Sequence, residues 1–161
     1  MRRGDFTRWL YRGQRPNWIA RMENRVSAAL FSWGILPNYM VTLEVAGRKS
    51  GQMVSLPLVV AVVGGERYLV SMLGENVNWV QNVRAANGRA VFRYGGWEEV
   101  HLEEVPAEQR APILKAYLQR APGARPHVQV DKDAPIAEFE KIATAFPVFR
   151  VVKNVQANAG V

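Results

Sequence analysis

Gly47-Arg48-Lys49-Ser50-Gly51 sets two adjacent cations and a hydroxyl between two glycines, a group of donors that suits a phosphate or a carboxylate. Arg48 offers a planar fork of N–H groups, Lys49 a point charge and Ser50 a small donor. The flanking glycines, Gly51 among them, permit positive φ and let backbone approach a ligand. The alternating run Val41-Thr42-Leu43-Glu44-Val45-Ala46 precedes this pentapeptide and an apolar run over 54–63 follows it. It therefore reads as a hairpin tip. A solvated basic turn has the same composition, so the residues around it must decide.

Further candidates lie downstream. In Ser55-Leu56-Pro57-Leu58, Pro57 cannot donate to a ladder, which marks a strand edge or a bulge. A bulge would leave backbone groups for a ligand; an edge proline would simply discourage aggregation. Ser71-Met72-Leu73-Gly74 ends a strand, and Asn78-Trp79-Val80-Gln81-Asn82 opens a helix. Amides at such a junction can bond an anion or a planar heterocycle. Trp79 can stack on a ligand or fill the core, and by itself reads better as core. Asn82, one turn on, shares its face. His127 is either a donor or proton relay near a substrate, or a solvated loop residue. No Walker-type G-x-x-x-x-G-K and no G-x-G-x-x-G follows any strand. With no cysteine and two distant histidines, His101 and His127, no metal site is expected.

These residues sit in a chain of 161, the size of one domain, with 48% hydrophobic content and a net charge of +7. The sequence pI near 10.1 implies an anionic partner. Residues 1–37 form a basic leader in which seven arginines face Asp5 and Glu23. Ile19, Met22, Val26, Leu30 and Trp33 recur at helical spacing, with Asn17 placed to cap and Gly34 and Pro37 to stop. From residue 40 the period changes. Strands are expected over 40–46, 53–63, 67–72, 90–94, 98–105 and 148–152, with turns at Gly64-Gly65 and Gly95-Gly96. Helices are expected over 76–86, 106–120 and 136–145. This pattern predicts a barrel domain over 38–155, with a flexible tail at 156–161. The expected fold is α+β, mostly β: a small barrel of about six antiparallel strands with helices outside.

The ordered set G-R-K-S-G-x-x-x-S-x-P-L, then Ser71-Met72-Leu73-Gly74, then Trp79-x-x-Asn82, resembles the deazaflavin-dependent nitroreductase and quinone reductase family. These are split β-barrel oxidoreductases of actinobacteria that use reduced coenzyme F420. The resemblance spans roughly residues 38–152. It implies that Arg48, Lys49 and Ser50 hold the phosphate region of F420, with Gly51, Ser55 and Pro57 of the same motif also among the cofactor-binding positions. It implies that Ser71, Met72, Leu73 and Gly74 lie along the deazaflavin ring, and that Trp79 and Asn82 border the site. The reduced ring would pass a hydride to an electron-poor acceptor: a quinone, an enone or a nitroaromatic. The protein's task is then orientation at about 3–3.5 Å rather than acid–base chemistry. The tyrosines that line the substrate pocket of the best-known member have no counterpart in Ala121-Pro122-Gly123-Ala124-Arg125-Pro126-His127, where His127 is the polar residue available.

Two other readings compete. The same barrel could carry FMN, or the chain could be a basic non-enzymatic module for a membrane surface or a ligand. Nucleic acid is not expected, because the aromatics are spread through core positions rather than interleaved with cations. No segment is long and apolar enough to span a bilayer, so the expected location is cytoplasmic. Residues 1–33 either belong to a helix that covers the barrel and keeps its arginines in water, the better of the two readings, or make peripheral contact with anionic lipid. Menaquinone would be a fitting acceptor there.

Overall fold

The sequence of strands predicted from alternation closes into a barrel. A computed structural model of the chain describes residues 39–93 and 96–153. The predicted leader over 1–37, the tail at 156–161 and part of the turn at Gly95-Gly96 lie outside the described residues. Six strands, β1 (Met40–Ala46), β2 (Met53–Val63), β3 (Glu66–Val70), β4 (Arg89–Arg93), β5 (Trp97–Glu104) and β6 (Val148–Lys153), close in the order β1-β2-β3-β6-β5-β4. Every pairing is antiparallel.

Alternation assigns the two faces. Leu43 and Val45 of β1, Val60 of β2, Leu69 of β3, Phe92 of β4, Leu102 of β5 and Phe149 of β6 fill the interior. Val59, Ala61 and Val70 point the other way. That outer apolar strip is covered by α2 (Ala111–Arg120) and α3 (Ile136–Ile142), through Ile113, Leu114, Leu118 and Phe139. On β5, Glu99, His101 and Glu103 are half-buried to exposed while Val100 and Leu102 are buried, the predicted single wet face.

A third helix, α1 (Asn78–Ala85), contributes Trp79, Val80 and Val83 to the barrel interior and so caps one end of it. The register fixes what else lies at that end. It gathers the β1–β2 tip, the residues after β3, the start of β4 and the close of β5. The opposite end holds the start of β1, the β2–β3 turn and the β4–β5 connection.

Several boundaries differ from those predicted. β3 stops at Val70 rather than at 72, because the Ser71 N–H donates to Pro147 O at 2.9 Å and its Oγ to Gly74 O at 2.6 Å, turning the chain. The helix expected over 106–120 is broken: Ala107–Gln109 is a 3-10 turn and α2 begins at Ala111. Pro112, lacking an N–H, fits the first turn of the new helix. The end of the last helix tightens into a 3-10 turn at Ala143–Ala145. Pro57 makes no bulge. It pairs in continuous register with Thr42, on the half of β2 that precedes the β3 pairing at Val60, so the edge reading holds.

One buried cation secures the helices to the sheet. Arg110 is 7% exposed. It donates from Nε to Val105 O at 2.8 Å and from Nη1 to Ala143 O at 3.0 Å and Phe146 O at 3.3 Å. These carbonyls belong to the β5–α2 and α3–β6 junctions. Arg110→Met keeps the stem but strands the acceptors, and should lower the unfolding free energy by about 2–4 kcal/mol in a denaturant titration. An unchanged midpoint would mean the junctions are held by packing alone.

Candidate functional site

The hairpin tip is built by its own backbone. Gly47 N–H donates to Gln52 O at 2.7 Å and Gly51 N–H to Gly47 O at 2.8 Å. Gly51 has φ +69°, which favours glycine, and a Cβ at Gly47 would lie 2.6 Å from Ser50 Oγ, so a side chain there would displace that hydroxyl. Arg48, Lys49 and Ser50 are thereby exposed at the tip. Ser50 Oγ accepts from Gln52 N–H at 3.2 Å, a bond that does not use its hydroxyl hydrogen.

Arg48 is tied to α1. Its main-chain N–H and its Nη1 both donate to Asn82 Oδ1, at 3.1 and 2.8 Å. Nη1 also reaches Asn78 O at 3.5 Å, and Nη2 reaches Asn78 Oδ1 at 3.4 Å. Asn82 is 4% exposed, and a carboxamide so buried needs partners. The sequence reading treated the tip and the Trp79-x-x-Asn82 helix as separate motifs, and these bonds join them. They also commit part of the Arg48 fork, which leaves Lys49 as the cation the tip presents outward. Asn78, which clamps the guanidinium, carries no periodic signal in the sequence.

Trp79 is a core residue. It is 8% exposed and packs tilted at 57° on Phe149, with ring centroids 5.7 Å apart. Ser71 is fully buried and holds the turn to Gly74, whose φ of +93° again favours glycine. Met72 is half-buried and Leu73 is 62% exposed. Residues 71–74 thus sit at the same barrel end as the tip and α1. Ser55 and Pro57 lie on the outer face of β2 and are both buried, and Ser55 Oγ donates to the buried Glu44 at 3.3 Å. Arg93 donates to the same Glu44 oxygen at 3.0 Å. His127 is exposed in the 3-10 segment Pro122–His127, which starts from the end of α2 that Arg120 fixes to Val60 O.

An ion cluster outside the predicted set braces the 71–77 segment. Arg84 of α1 bonds Glu75 at 3.0 Å and also bonds Glu104 at the end of β5. The hydrogen bond from Arg84 holds the Glu75 carboxyl below its usual range, and the two carboxylates raise the Arg84 guanidinium. A depressed carboxyl contributes its stabilisation above the unfolded value and loses it as pH falls through the folded one. The brace is therefore complete at neutral pH.

The shared barrel end thus carries an outward ammonium and hydroxyl, a clamped guanidinium and a fixed turn at 71–74, a donor set that fits an anionic, planar ligand. Asn82→Ala would remove the main-chain tie and the shorter side-chain tie from Arg48 to α1, leaving the longer contacts to Asn78 at 3.5 and 3.4 Å. It should weaken binding of a phosphate-bearing ligand by roughly tenfold through lost preorganisation, with far-UV dichroism unchanged. Unaltered affinity would separate the clamp from the site.

Comparison with known proteins follows the same lines. The family model described as F420H(2)-dependent quinone reductase matches residues 18–140. A search of curated proteins finds no match. Among solved structures, a domain-swapped dimer has 20% identity and a TM-score of 0.52, covering 84% of this chain and 97% of its own. The conserved hypothetical protein Rv2991 from Mycobacterium tuberculosis has 17% identity and a TM-score of 0.51, covering 71% and 72%. An F420-H2 dependent reductase has 23% identity and a TM-score of 0.49, covering 73% and 96%. The first two carry the likeness of fold.

Proposed function

Because this chain belongs to the F420H2-dependent quinone reductase family, and so is an F420-dependent oxidoreductase, we propose that its acceptor is a quinone and that the Arg48-Lys49-Ser50 tip holds the cofactor's phosphate region. The observation that carries the reading is the double hydrogen bond from Arg48 to Asn82, which turns a loose basic hairpin into a fixed donor set. Lys49 and Ser50 supply the outward charge and hydroxyl. The 71–74 turn, pinned by Ser71 and braced through Glu75 and Arg84, gives the ring a rigid backbone edge to lie along. When bound, the reduced deazaflavin supplies the hydride. The proton would come from solvent or from a side chain beside the acceptor; no described hydrogen bond links His127 to this end of the barrel. The family match favours F420 over FMN for the same barrel.

The purified protein should bind F420 and oxidise its reduced form with a quinone, while leaving reduced nicotinamides untouched. Lys49→Ala should cost about 1.5–3 kcal/mol of F420 binding, the scale of a hydrogen bond to a charged group, with folding unaltered. Stoichiometric FMN with no F420 binding would sink the proposal. Equal affinity in the variant would move the phosphate site elsewhere.

A lipid-soluble quinone such as menaquinone fits the composition of residues 1–37, where seven arginines stand against two acids beside Phe6, Trp9 and Leu10. Anionic vesicles should co-sediment the full chain and neutral ones should do so poorly, and removal of residues 1–13 should weaken the effect while leaving F420 binding intact. Indifference to lipid charge would remove the membrane claim and leave residues 1–37 as a cover for the barrel.

A further inference from the structure

The opposite end of the barrel holds a cavity of about 470 Å³, the size of a small-molecule site. Its floor is apolar: Phe92 and Val60 are buried there. Its rim is open and carries apolar groups as well. Val62 is 41% and Trp97 49% exposed, two of the four large hydrophobic side chains exposed among the described residues. Exposed apolar groups on a concave wall, rather than scattered on a convex one, mark a surface that gains by being covered.

Charge at the rim is unbalanced. Arg67 pairs with Glu98 through two hydrogen bonds, of 3.1 and 2.9 Å, and lies 5.6 Å from the Phe92 ring centroid. Arg120 lies 4.2 Å over the Tyr39 ring and donates to Val60 O at 3.1 Å, with no carboxylate partner among the described residues. Two guanidinium groups against one carboxylate leave a single positive charge beside the apolar floor.

We propose that this cavity is a second ligand site, taking a small, flat, apolar molecule that bears one negative charge. Burial on Phe92, Val62 and Trp97 would supply the affinity, and Arg120 would pair with the anionic group. The site is separate from the phosphate-holding tip. β1 runs from one end to the other over Met40–Ala46, about 20 Å at the usual rise of a strand. A ligand here can therefore bind alongside the cofactor.

Anilinonaphthalene sulfonate, a flat apolar monoanion that fluoresces when desolvated, is the probe. Titration into the full chain should show one saturable site that persists when F420 is saturating. Uncharged phenylnaphthylamine should bind about tenfold more weakly, for want of the charged pair. Val62→Glu should weaken the sulfonate by about tenfold or more by setting a carboxylate in the mouth. Ile136→Glu, on an exposed residue of α3 outside the cavity, should not. Trp97→Gln serves in the same role should Val62→Glu fail to fold. Displacement by F420, equal binding to wild type and both rim variants, or the absence of a saturable site would each overturn the proposal. So would an affinity that falls as protein concentration rises, which would make the cavity a face between copies of the chain.

Discussion

A carboxamide buried at the mouth of the barrel needs donors, and Asn82 takes two of them from Arg48. Left without those partners, a buried acceptor of this kind would cost about 1–3 kcal/mol. The requirement works in both directions. It satisfies α1, which must sit deep enough to put Trp79, Val80 and Val83 into the barrel interior. It also fixes the one hairpin tip whose side chains are cations and a hydroxyl. Stability and, on the proposed reading of the tip, ligand geometry therefore depend on the same pair of bonds.

Closure of the barrel makes that pairing possible. β1 is bonded on one edge to β2 along Met40–Ala46 and on the other to β4 at Thr42, Leu43 and Glu44. The tip has no freedom to swing away from α1, which connects β3 to β4. The same closure divides labour between the ends. One end is polar and braced, by Arg48 with Asn82 and by Arg84 with Glu75 and Glu104. The other is open and apolar around Phe92, Val62 and Trp97.

Much of this was legible in the sequence, for definite reasons. β1 and β2 fall where alternation and the Gly47 and Gly51 punctuation set them, since period and turn chemistry are local signals. Trp79 by itself reads better as core than as a stacking residue, and it packs there on Phe149. The coupling of Arg48 to Asn82 was not legible, because a bond between residues 34 apart leaves no periodic trace. Nor was the break ahead of α2. Pro112 fits a first helical turn as well as Pro106 does, and the tie that sets the start, Arg110 to carbonyls of the α3–β6 junction, is long-range. The tip, the 71–74 turn and α1 could be named from residue order, but their shared barrel end follows only from the register.

Hydrogen–deuterium exchange with and without F420 tests that convergence most directly. The account predicts that cofactor slows exchange together at residues 47–51, 71–74 and 78–82, and leaves residues 62–67 and 97–98 at the far end unchanged. Protection confined to the far end, or spread to neither, would contradict it.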